Sequence, residues 1–161
     1  MTEKVVTLQQ IANTKLIFYV LMLAVVIYGL LIYILESAVG PSPDTSGGSG
    51  IELLPPVLAI VAIIEVVGIF KFFLPRVMNA EKYNDCFSFM LITSMMCESI
   101  GLYGALIGLL NLFIQGQMVQ WTIVMGFLGL SLLIQFYLIN NKYSPKLQSL
   151  LGTSYTPVTT S

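Results

Sequence analysis

Histidine is absent from this chain, cysteine occurs twice, and only 9% of the residues are charged. Each scarcity excludes a class of chemistry. Without histidine and with two thiols, the chain alone supplies no ligand set for zinc, haem or an iron–sulfur cluster. Cys86 and Cys97 lie 11 positions apart on what reads as one helix, about 16 Å along its axis at 1.5 Å per residue, so they do not pair within it. Seven Lys and Arg against eight Asp and Glu, a net charge of −1, leave no basic surface for nucleic acid and no polybasic patch for lipid headgroups. No nucleophile with its base, no metal cluster and no phosphate-binding loop can be read, so the chain is not expected to be an enzyme by itself. No cofactor is expected either.

What fills the space is hydrocarbon. Hydrophobic residues make up 57% of the 161 positions and the mean hydropathy is +0.89, whereas a soluble domain carries about 25% charged residues. Runs long enough to cross a bilayer, about 20 residues each, occur at Leu16–Leu35, Pro56–Leu74, Cys86–Phe113 and Trp121–Ile139. The expected fold is an all-α integral membrane protein of four transmembrane helices. Residues 1–15 form a terminal segment, 16–142 the membrane domain, and 143–161 a flexible tail. The first run is longer than a signal-peptide core of about 7–15 residues and reads as an uncleaved span.

The cations give the direction. Lys4 and Lys15 precede the first run, Lys71, Arg76 and Lys82 mark the end of the second and the following loop, and Lys142 and Lys146 follow the fourth. The intervening loops Glu36–Pro55 and Ile114–Gln120 contain none, so the positive-inside rule places both termini and the middle loop in the cytoplasm, with the spans as two antiparallel hairpins. A bacterial or archaeal inner membrane is the expected location. The glycine- and serine-rich "SAVGPSPDTSGGSG" and the C-terminal "LGTSYTPVTTS" read as mobile connections.

Two acids fall inside the oily runs. Glu65 stands 9 residues before the end of the second run and Glu98 12 residues after the start of the third, which puts both about 13–18 Å from the same boundary. An ionisable residue at that depth is costly and points to function. If the two carboxyls share a site in so low a dielectric, one stays protonated or a cation sits between them. The plainer alternative is a protonated Glu that joins helices by a hydrogen bond of about 1 kcal/mol and carries nothing. Ser99 and Tyr103 supply hydroxyls near Glu98. Cys97 reads as a small packing residue. Tyr28-Gly29 and Tyr103-Gly104 sit in similar contexts, "IYGLLIYIL" and "LYGALIGLL", a hint of two repeated hairpins, although Leu23 holds the place where the repeat would put the acid.

Over "ESIGLYGALIGLLNLF", Glu98 to Phe113, the sequence resembles the ion-carrying helix of the proteolipid subunit (subunit c) of F-type and V-type rotary ATPases. The resemblance implies that Glu98 binds H⁺ or Na⁺, that Ser99 is a hydroxyl ligand where Na⁺ is the ion, that Tyr103 hydrogen-bonds the carboxylate, and that the carbonyl of Met96 adds a backbone ligand. Glu65, 33 residues upstream of Glu98, resembles the second acid of the two-carboxylate members, so Na⁺ would lie among Glu98, Glu65 and Ser99. The loop "PRVMNAEKYND" matches the polar loop of such a hairpin. The second run, "VLAIVAIIEVVGIFKFF", departs from the family in lacking its dense run of glycines.

Three functions follow as expectations. The first is a proteolipid-like subunit that binds or translocates H⁺ or Na⁺. It would work in lipid as a homo-oligomer or with other membrane subunits, one of which supplies an Arg, since no Arg lies inside a span here. The second is a structural subunit of a larger membrane complex. A third, less favoured, is a small proton-coupled transporter with Tyr28, Tyr33, Tyr103 and Trp121 lining a cavity.

Overall fold

A computed structural model of the chain describes residues 4–39, 53–113, 119–152 and 154–155. The expected mobile segments lie outside these residues over 40–52 and 156–161. Four helices long and apolar enough to cross a membrane make up nearly all of it: α1 (Leu8–Val39), α2 (Leu54–Asn79), α3 (Tyr83–Phe113) and α4 (Trp121–Ser149). Their ends follow local chemistry. Thr7 and Gln10 open α1 with a reciprocal pair, Thr7 N–H donating to Gln10 Oε1 at 3.0 Å and Gln10 N–H to Thr7 Oγ1 at 3.3 Å, so two donors with no partner inside the helix are satisfied. Prolines start α2, where a missing N–H costs nothing. Ala80 leaves the helical region at ψ 124° and separates α2 from α3.

Near their C-terminal ends, α2 and α4 widen in the same way. Leu74 N–H donates to the carbonyl of Ile69 and Ser144 N–H to that of Ile139, five residues back instead of four. The cause is the next residue, Pro75 or Pro145. Its ring would strike the carbonyl four positions earlier and it has no N–H to donate, so the turn before it opens into a π-turn. The two turns stand 70 positions apart, "IFKFFLPRVMN" beginning at Ile69 and "INNKYSPKLQS" at Ile139. On that register Glu65 corresponds to Gln135.

The third helix is the hub. It packs against each of the others, and half of its most apolar stretch is buried within the bundle, against 11% for α2. Close approach is made by Gly104, where a Cβ would stand 2.9 Å from the backbone oxygen of Val124 on α4. Val77 meets Cys86, Gly68 faces Met96, and Glu65 meets Ser99 and Tyr103, so α2 and α3 run past each other in opposite chain directions.

The chain ends meet. Lys4–Val5 (β1) pairs antiparallel with Ser154–Tyr155 (β2), and Gly152 N–H donates to the carbonyl of Val6 at 3.2 Å. Gly152 turns at φ +83°, a conformation that suits glycine. The segment expected to be a flexible tail from 143 is thus helical through Ser149 and clasped at 154–155. At the other end Glu36 bridges α1 and α4. Its two oxygens accept Val119 N–H at 2.8 Å and Trp121 Nε1–H at 2.7 Å, placing a carboxylate on the positive end of α4.

Candidate functional site

The two acids of the apolar helices are held differently. Glu65 points from α2 to α3, where Tyr103 donates its hydroxyl to Oε1 at 2.7 Å and Ser99 Oγ lies 3.0 Å from Oε2. Ser99 and Tyr103 are four positions apart and therefore share one helix face. The ring of Tyr103 is braced edge-on by Phe127 at 6.4 Å between centroids. Ser99 Oγ also lies 2.7 Å from the carbonyl of Met96, and one hydroxyl proton serves one acceptor at a time. Directed at Glu65, that proton supports a carboxylate; directed at Met96, it leaves Ser99 Oγ free to accept from a protonated Glu65. The cluster satisfies both charge states without moving a heavy atom.

Glu98 points the other way, to α1. Tyr28 donates its hydroxyl to Oε1 at 2.6 Å, and no described residue bonds the second oxygen. Both acids are half-buried. Among the described residues no Lys or Arg pairs with either, so each carboxyl is engaged by hydroxyl groups alone.

The sequence reading gathered Ser99, Tyr103 and the Met96 carbonyl around Glu98. The structure sets Ser99 and Tyr103 on Glu65 instead, the Met96 carbonyl meeting Ser99 alone, and Glu98 takes Tyr28, a residue read only as part of a repeat or a cavity wall. The reason is helix geometry: successive residues are about 100° apart around the axis, so Glu98 and Ser99 address different neighbours. The spacing from Ser99 to Tyr103 carried the signal, since four residues return to the same face while five, from Glu98, do not. Of the expected sodium ligands, Glu65 and Ser99 come together and Glu98 shares no hydrogen-bond partner with them. Among the described residues, no group of three or more His, Cys, Asp or Glu could hold a metal ion.

Of the four aromatics expected to line a transporter cavity, Tyr33 and Trp121 line a groove of about 620 Å³ between α1 and α4 with Val25, Gly29, Met125 and Gly129. Tyr28, Tyr103 and the two acids are not in its walls. The groove and the carboxylates are therefore separate features.

A second polar seam, which the sequence reading missed, runs between α3 and α4. Ser131 Oγ donates to the carbonyl of Cys97 at 2.5 Å, and Gln135 Nε2–H donates to Ser131 Oγ at 3.4 Å. Farther along, Tyr143 and Thr93 share a short hydroxyl–hydroxyl bond. Compared with known proteins, the chain matches no family model, no curated protein and no solved structure.

Proposed function

We propose that this chain is a membrane subunit that binds and exchanges a small cation, H⁺ or Na⁺, at intramembrane carboxylates, in the manner its resemblance to rotary-ATPase proteolipids implies. The spans lie as two antiparallel hairpins with both termini on the cytoplasmic side, where the cations collect. One observation carries the functional reading: two carboxyl groups in the middle of apolar spans are met by hydroxyl groups and by no described cationic side chain. An ionised carboxylate in that setting draws a compensating positive charge, and a proton or Na⁺ is the small species able to supply it.

The two acids divide the work. Glu65, with both oxygens bonded, is the tuned and locked member. Glu98, with one oxygen bonded, is the exchanging member. A neighbouring chain, a second copy or a different membrane subunit with an Arg, would offer the charge that releases the ion.

A second reading has its own support, because each Tyr–Glu bond crosses from one helix to another, Tyr28 to Glu98 and Tyr103 to Glu65. Both acids could then be neutral donors and acceptors that join helices in a structural subunit. Carbodiimide labelling of purified membranes separates the two, since the reagent modifies protonated carboxyls in apolar surroundings. Peptide mass spectrometry across a pH series, with and without Na⁺, is expected to find Glu98 modified, with the yield falling as pH or Na⁺ rises. An unmodified Glu98, together with Glu98→Gln protein that assembles and conducts ions normally, would leave the structural reading.

A further inference from the structure

The seam between α3 and α4 holds a polar atom with no partner among the described residues. Gln135 is 2% exposed, and its Oε1 accepts no hydrogen bond. The direction of the chain around it is fixed. Ser131 has one proton and donates it to the carbonyl of Cys97, so toward Gln135 it can only accept, and it is the amide N–H of Gln135 that donates to it. The carbonyl end of Gln135 is left facing the interior as an acceptor in need of a donor.

The register shows what faces it. Ser131 meets α3 at Cys97, and Tyr143 meets it at Met90 and Thr93. Gln135 lies between Ser131 and Tyr143 on α4 and so faces α3 between Thr93 and Cys97, at the level of Ser94. Ser94 is 3% exposed and lies beside the Tyr143 hydroxyl. It is also four residues before Glu98, hence one turn away on the same face.

We propose that Gln135 Oε1 holds a buried water at the level of Ser94, and that through this water Glu98 exchanges its proton. A buried carbonyl without a partner costs more than the immobilisation of one water, and such waters settle on groups of this kind. The water donates one hydrogen to Gln135 Oε1, bonds Ser94, and keeps one hydrogen or lone pair for the free oxygen of Glu98. In the exchange, the carboxyl O–H of Glu98 breaks as a new O–H forms on the water. One of the water's original O–H bonds then breaks as its proton returns to the emptied carboxyl oxygen, so Glu98 is neutral again, carries the water's isotope, and no charge stays on the relay.

The inference rests on the exchanging role given to Glu98, and the test keeps the two apart. Infrared spectra of the full chain in lipid vesicles are recorded as H₂O is replaced by D₂O. The carboxyl band of Glu98 is assigned by its loss in Glu98→Gln, and its isotope shift is timed in wild type and in Gln135→Leu. The expected result is a slowing by on the order of 100-fold in Gln135→Leu, the scale at which a positioned proton-transfer group contributes, with loss of an internal-water band. Gln135→Met, closer in length and more adaptable, is expected to do the same and serves if the leucine variant does not fold. Equal exchange rates in wild type and variants, or no difference in the water bands, would overturn the inference and leave Glu98 as an exchanger fed by another route. Absence of any Glu98 carboxyl band in the wild type at every pH would overturn the exchange reading itself, and this inference with it.

Discussion

Helices α2 and α4 are built on one plan and used for opposite ends. Each runs to a π-turn forced by a proline and finishes with a short basic segment, Arg76 on one and Lys146 on the other. At the start of the π-turn the same bifurcation recurs: Ile69 N–H reaches the carbonyls of Glu65 and Val66, and Ile139 N–H those of Gln135 and Phe136. Their surroundings differ. Only 11% of the most apolar stretch of α2 is buried in the bundle, against 44% for α4. The looser helix carries the acid and meets it with hydroxyls; the buried helix carries an amide in the same place. A repeated backbone therefore does not fix the chemistry of a position, because the neighbouring helix decides whether a charge can be tolerated there.

Exchanging the two side chains is the sharpest way to break this comparison. Gln135→Glu removes the donor to Ser131 and sets a carboxylate beside the Cys97 carbonyl with no compensating charge, an expected loss of about 3–5 kcal/mol in denaturation measured in detergent. Glu65→Gln should cost under about 1 kcal/mol, since an amide accepts from Tyr103 and donates to Ser99.

Packing gives the next contrast. Gly104→Ala pushes a methyl against the Val124 carbonyl at 2.9 Å, and the strain, reduced by the better helix propensity of alanine, should leave a loss of about 1–2 kcal/mol. Gly68→Ala would meet the flexible end of Met96 at 3.4 Å and should be neutral or slightly stabilising in the same assay.

Removing hydroxyls tests the acids themselves. Tyr28→Phe deprives Glu98 of its one bond, while Tyr103→Phe leaves Glu65 with Ser99. Each should cost about 1 kcal/mol, and only Tyr28→Phe should change the carbodiimide yield at Glu98.

The smallest effect is expected at the prolines. Pro145→Ala lets the π-turn close and carries Tyr143 away from Thr93 and from Phe18, whose ring lies 5.2 Å from it. For Pro75→Ala, the residue of the π-turn in the place of Tyr143 is the half-buried Phe73. A thermal-melt difference equivalent to under about 1 kcal/mol, with Pro145→Ala the less stable, would show that the two π-turns are braced unequally.

The four long apolar helices were legible because hydropathy and residue count along a helix need no knowledge of neighbours. The helices run longer than the apolar runs, as at Leu8–Val39, because caps and polar ends continue a helix beyond its oily part. The pairing of hydroxyls with acids was not legible in full. Which face of α3 meets each neighbour is set by packing at glycines such as Gly101, against Val25 on α1, and Gly104, against Val124 on α4, and a rotation of one residue reassigns every partner. Gln135 gave no sign by itself. It is one polar residue in an oily run, and only the shared "P-basic" ending 70 positions from its counterpart marks it as the match of Glu65.

The bridge at Glu36 has a use of its own. Trp121 is the one tryptophan in 161 residues, and its indole N–H ends on that carboxylate while Tyr33 lies 6.2 Å from its ring. The protein thus carries an intrinsic optical gauge at the end of the bundle away from the chain termini. Any motion that draws α1 from α4 would break an indole–carboxylate contact and move the emission of a single, already assigned fluorophore, with no label added.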